Sequence, residues 1–144
     1  MAYTTIDKPE DYFKAVLYTG THSSVPTVTV GFKSDLLWMK SRTQTYDHNL
    51  LDTTRGGTKK IFSNKNDAES STGDSVTFNA TTFQPSGQAI NESGQGTDNM
   101  ISWNWKANGG TTASNSNGTI TSTVQANTAA GFSIISYTGN GSDG

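Results

Sequence analysis

Short runs of alternating apolar and polar residues recur along this chain, with the period of two that marks strands turning one face to a core. Residues 13–18 alternate in this way and stop at the turn-forming Thr19-Gly20-Thr21. Residues 27–32 alternate most clearly and put Val28, Val30 and Phe32 on one face. Leu36, Leu37, Trp38 and Met39 are apolar on both faces, which predicts a strand buried between two layers. A polar stretch over 40–49 leads to Leu50 and Leu51, a turn over 52–57 and a short strand around Lys60, Ile61 and Phe62. Residues 63–74 read as loop, 75–79 and 82–84 as strands, Ile90 as the anchor of another strand, and 94–98 as loop. Over 100–106 the alternation is expected to send Ile101, Trp103 and Trp105 inward as the centre of the core, with Ser102, Asn104 and Lys106 outward.

Between Ala107 and Gly118 no apolar residue is larger than alanine, so burial cannot offset the entropy of ordering, and a surface loop or linker is expected. A strand over 120–124 then leads through Ala129-Ala130-Gly131 to a last one at 132–139. Helix signals are confined to one turn over 6–13, with Asp7 as cap and Pro9 in the first turn, too short to be stable alone. The pattern predicts an all-β fold, a β-sandwich.

Composition sharpens this picture. Ser, Thr, Gly and Asn make up about half of the 144 residues and only 31% are hydrophobic, which suits short strands and polar turns around a thin core. Three Trp, five Tyr and six Phe argue against disorder, since each buried aromatic covers about 150–250 Å². Partner chains are expected to supply missing burial. Ten basic and twelve acidic residues, scattered to a net charge of -2, give no footprint for nucleic acid or an anionic membrane, so neither is expected as a partner. There is no cysteine for disulfides or thiolate zinc sites, and no stretch long enough to span a membrane as a helix. The N-terminus reads as the native start of a protein made without a signal peptide.

Residues 13–20 and 132–139 share four of eight positions at an offset of 119, and both end Tyr-Thr-Gly before a polar turn. More specific are the opening Met-Ala-Tyr-Thr-Thr-Ile with Tyr12-Phe13, Gly31-Phe32 leading to Asp35-Leu36-Leu37-Trp38-Met39-Lys40, and Asp52-Thr53-Thr54-Arg55-Gly56. With Ile61-Phe62-Ser63-Asn64, Trp103-Asn104-Trp105-Lys106-Ala107 and Gly131-Phe132-Ser133-Ile134, these motifs span nearly the whole chain. Together they resemble a domain common in tailed bacteriophages, notably marine ones. The resemblance implies a virion structural or tail fibre protein and a concanavalin A-like jelly roll, with the Tyr-Thr-Gly segment starting a further β domain. It leads to an expected division into a lead-in at 1–12, a sandwich domain at 13–107, a polar linker at 108–118, and a bridging strand with the start of a second β repeat at 119–144. The chain is then expected to be the N-terminal portion of a longer polypeptide.

Catalytic constellations are weak. Ser41, His48 and Asp47 or Asp52 supply the residue types of a nucleophile, base and orienting acid, but no nucleophile elbow surrounds them. Glu69, Asp74, Glu92 and Asp98 are acids of the kind a glycosidase pairs across a cleft, without a pattern that pairs them. The oxygen-rich residues 64–69, with His22 and His48, lack the ligand spacing of a calcium loop, and Lys65 opposes a cation. Arg55-Gly56-Gly57-Thr58-Lys59-Lys60 lacks the order of a phosphate-binding loop and reads as a turn with basic flanks. Trp103 and Trp105 are expected in the core rather than on a sugar-stacking platform. The Asn-X-Ser/Thr sequences at Asn79, Asn91, Asn117 and Asn140 follow from composition.

The expectation is therefore a non-enzymatic structural protein without cofactor or metal, and with no residue assigned to a binding site. As a tail fibre or adhesin-type component it would sit in the virion, on the tail rather than the head surface, after synthesis in the bacterial host cytoplasm. Its partners would be its own copies, as a homo-oligomer expected to be a trimer, and other virion proteins, with a host surface glycan as a further candidate. The alternatives are a lectin-like carbohydrate-binding module and a head fibre or capsid decoration protein.

Overall fold

The computed structural model describes residues 6–22, 24–91 and 98–141, and the fold is all-β. A single 3-10 turn, Pro9–Asp11, precedes β1 (Phe13–Thr19), β2 (Val28–Thr29), β3 (Leu36–Ser41), β4 (Asn49–Asp52), β5 (Gly56–Phe62) and β6 (Ser75–Phe78). There follow β7 (Thr82–Ser86), β8 (Asn99–Trp105), β9 (Ala113–Asn115), β10 (Ser122–Asn127) and β11 (Phe132–Tyr137). Their pairings are antiparallel and build three sheets: β1-β8-β3-β4-β5, β2-β7-β6 and β11-β10-β9.

The core lies against one face of the five-stranded sheet. Leu37 and Met39 of β3 and Leu51 of β4 meet Val28 of β2, Val76 of β6 and Phe83 of β7, and Val30 and Phe32 close the cluster behind β2. Val16 and Tyr18 of β1 pack against it from the sheet edge. Ile90, expected on a strand, is fully buried but sits in the turn after β7. Its apolar side chain fills the core without a ladder.

The alternation in β8 is present but its phase is the reverse of the expected one. Met100, Ser102 and Asn104 face inward and are buried, whereas Ile101, Trp103 and Trp105 lie on the opposite face. A period of two defines two faces without deciding which is internal, and here hydrogen bonding makes the polar face an acceptable interior. Asn104 Oδ1 accepts from the Ser34 hydroxyl at 3.0 Å, and Asn104 Nδ2 donates to Lys14 O at 2.9 Å and to Ser102 Oγ at 3.0 Å. Only one face of β3 is fully buried: Leu37 and Met39 are, while Leu36 and Trp38 share the partly open side with the β8 tryptophans.

The segment over 108–118, expected as loop, contains β9, whose residues are all exposed and are ordered by pairing with β10 instead of by burial. Nor does Asp7 cap the first turn: the N-cap is Lys8, without a side-chain hydrogen bond. Polar contacts hold the third sheet to the five-stranded one. Gln125 of β10 is fully buried, its Oε1 accepting from the amides of Asn108 (3.1 Å) and Gly110 (2.7 Å). Its Nε2 donates to the hydroxyls of Thr53 (2.9 Å) and Thr54 (2.8 Å) in the β4–β5 turn. Beside it, buried Asp35 accepts from Thr53 Oγ1 at 2.8 Å and from the amides of Ala107 and Gly109 at 2.7 and 3.0 Å.

Candidate functional site

The outer face of the five-stranded sheet is largely apolar over β1, β8 and β3, and one apolar row extends across β4 and β5. Register places Phe13, Trp105 and Leu36 in one row, Ala15, Trp103, Trp38, Leu50 and Ile61 in the next, and Leu17, Ile101 and Lys40 in a third. Phe13, Leu17 and Ile61 are exposed, Leu17 to 62%, and the three tryptophans are half-buried. The ring centroids of Trp38 and Trp103 are 5.3 Å apart and those of Phe13 and Trp105 4.9 Å, both pairs tilted by 50°. Such tilted contacts pack a surface without flattening it into a stacking platform.

His48 and Lys40, which border this face, are already engaged. Trp38 Nε1 donates to His48 Nδ1 at 2.9 Å, and Lys40 Nζ donates to the carbonyls of Ser41 (2.6 Å) and Gln44 (2.9 Å). At the Trp105 end the face runs into a groove of about 410 Å³ lined by Ile6, Pro9, Tyr12, Phe13, Ala130 and Phe132. There the Phe132 ring stacks on Trp105 with centroids 6.2 Å apart. An apolar surface with few free polar groups is suited to another apolar surface, and so to a protein partner.

The candidate catalytic residues are not assembled. The Ser41 hydroxyl is buried and accepts from the amides of Thr43 and Gln44, while His48 is held by Trp38. Asp47 pairs with Lys65 at 2.6 Å; that ammonium, and next the Asn64 amide, hold its carboxyl below the usual carboxylate range. Asp52 pairs with Arg55 at 2.6 Å and accepts from the amides of Thr54 and Arg55. Among the glycosidase-type acids, Glu69 binds Arg55 at 2.9 Å, chiefly for which its pKa is lowered, and Asp74 is buried against Lys60. Asp98 accepts from Thr43 Oγ1 at 2.9 Å, and Glu92 lies outside the described residues.

Residues 64–69 serve ion pairs and a hydrogen bond from His48 N to Asn64 Oδ1, and among the described residues no three His, Cys, Asp or Glu side chains are placed to hold a metal ion. The basic residues 55–60 form the β4–β5 turn and the start of β5. Among the described residues no helix is long and apolar enough to cross a membrane. The apolar residues at both parities of β3 signal the outer face, but of the two faces expected to be buried there, the one bearing Leu36 and Trp38 is partly open.

A family model described as a domain of unknown function, DUF7483, matches residues 8–144. No curated protein matches the chain, and no solved structure does.

Proposed function

The chain belongs to the DUF7483 family, and we propose that it is a structural component of a bacteriophage virion, of the tail fibre or adhesin type, which binds its own copies and neighbouring virion proteins without catalysis. The observation that carries this reading is the outer face around Trp103, apolar over β1, β8 and β3, continued by Leu50 and Ile61, and left open in the single chain. Three strands about 4.8 Å apart and six residues of about 3.3 Å give a face of about 15 by 20 Å. That is somewhat over a third of the roughly 800 Å² that each partner contributes to a standard interface, and the adjoining groove extends it. The sequence motifs, which resemble those of tailed-phage virion proteins, support the setting. On this reading the fold is a β-sandwich of the jelly-roll type, with the five-stranded sheet and β2-β7-β6 as its layers, and the assembly is a trimer. Immunogold labelling of purified virions tests it: signal on the tail is expected, signal on the head would transfer the role to a head fibre or decoration, and particles free of the protein would refute it.

A second reading, a carbohydrate-binding module, draws on the outward placement of Trp38, Trp103 and Trp105. The engaged state of Lys40 and His48 weighs against it, because a sugar needs free polar partners beside the aromatic rings. Specific binding on a glycan array, lost with Trp103→Ala, would favour it.

A further inference from the structure

β1 and β11 have related sequences, each is an edge strand, and each is followed by Gly one residue beyond a Thr. Their burial is opposite in phase. In β1, Val16 and Tyr18 turn to the core, and the Tyr18 ring meets Phe83 edge-on with centroids 5.7 Å apart. The equivalent side chains in β11, Ile135 and Tyr137, are 56% and 68% exposed. β11 thus turns to solvent the face that β1 buries.

Two features of the β11 segment have a use at the β1 position. Tyr18 donates its hydroxyl proton to Ile90 O at 2.6 Å, whereas the matching Tyr137 is open to solvent. A Cβ on Gly20 would lie 2.1 Å from Asn91 O, so only glycine passes that carbonyl, whereas a Cβ on the matching Gly139 would meet nothing within 4 Å. At the β1 position the tyrosine and the glycine of β11 would each meet such a constraint.

We propose that β11 is built to fill the β1 position of a second copy of this fold. There it pairs along β8 of that copy, Ile135 and Tyr137 close the core over Phe83, the Tyr137 hydroxyl donates to the Ile90 carbonyl, and Gly139 passes the Asn91 carbonyl. Copies joined in this way share one strand, which is the last of the first copy and the first of the next. The inference stands apart from any virion role, and the location of the protein in a particle leaves it untouched.

The test is a chain in which residues 1–139 are followed directly by a second run of residues 21–141, so that β11 stands where β1 would. The 144-residue chain sets the number of slowly exchanging amides for one folded copy. A chain whose second run starts at residue 13, with its own β1, sets the number for two. The β11-joined chain is expected to reach the two-copy number, and Gly139→Ala is expected to return it to the one-copy number while leaving the melting temperature of the 144-residue chain unchanged. A β11-joined chain that stays at the one-copy number would overturn the proposal. So would one that holds the two-copy number with Gly139→Ala.

Discussion

Lys60 Nζ lies 2.5 Å from Asp74 Oδ2, and both side chains are almost fully buried between β5 and the start of β6. Asp74 also accepts the Ala89 amide at 2.9 Å, so one carboxylate ties β5 to the turn that carries Ile90 into the core. Removing the charge of one partner leaves the other buried and unpaired, which is the costly way to break such a pair. Asp74→Asn is expected to destabilise the fold by about 3–5 kcal/mol, read from the shift in urea midpoint at constant slope.

Tyr18 gives the stability a dependence on alkaline pH. Burial, and next the charge of Asp74, push its phenol far above the ordinary tyrosine value. A raised folded pKa means that the folded chain holds this proton more tightly than the unfolded one. The contribution is therefore complete below the unfolded value of about 10 and is lost as the pH rises above it. Wild type is expected to lose about 1.4 kcal/mol per pH unit above pH 10 from this group, and Tyr18→Phe to lack that component of the slope. At neutral pH the variant pays about 1 kcal/mol for the bond to Ile90 O. Urea titrations of both proteins from pH 8 to pH 11 measure the difference.

Gln125 fastens the third sheet. Its carboxamide serves the amides of Asn108 and Gly110 and the hydroxyls of Thr53 and Thr54, all of which Gln125→Ala leaves without this partner. These groups are partly buried, so each lost bond is expected to cost about 1 kcal/mol. The expected result is faster amide exchange in β9, β10 and β11 with unchanged exchange in β8, as in the opening of one cooperative unit. Equal acceleration in both sheets would mean that they open together.

Much of the fold was legible in the residues. The alternation in β1, β6, β7, β8 and β11 located those strands to within about two residues. Core positions Val28, Val30 and Phe32 followed from the same pattern, and Leu37 and Met39 belong to the strand expected to be buried on both faces. What the pattern lacked was a reference for inside and outside. The usual assumption that tryptophan is internal reversed β8, because Ser102 and Asn104 satisfy each other with Ser34 and the Lys14 carbonyl. Their hydrogen bonds depend on residues about 70–90 positions away and leave no local mark. Gln125 was illegible for the same reason. The outer face was half visible: Phe13, Ala15 and Leu17 alternate as regularly as Val16 and Tyr18, and the choice between them needed the sheet.

The most direct test of the outer face as a contact surface is the molar mass of the purified chain by sedimentation equilibrium, alongside Leu17→Glu. Leu17 is 62% exposed, so a charge there leaves the single chain folded. Wild type is expected as a discrete oligomer, a trimer of the 15.3 kDa chain, and Leu17→Glu as a monomer with an unchanged circular dichroism spectrum. A wild-type chain that remains monomeric at every concentration would contradict the contact role of this face, as would an oligomer indifferent to the substitution.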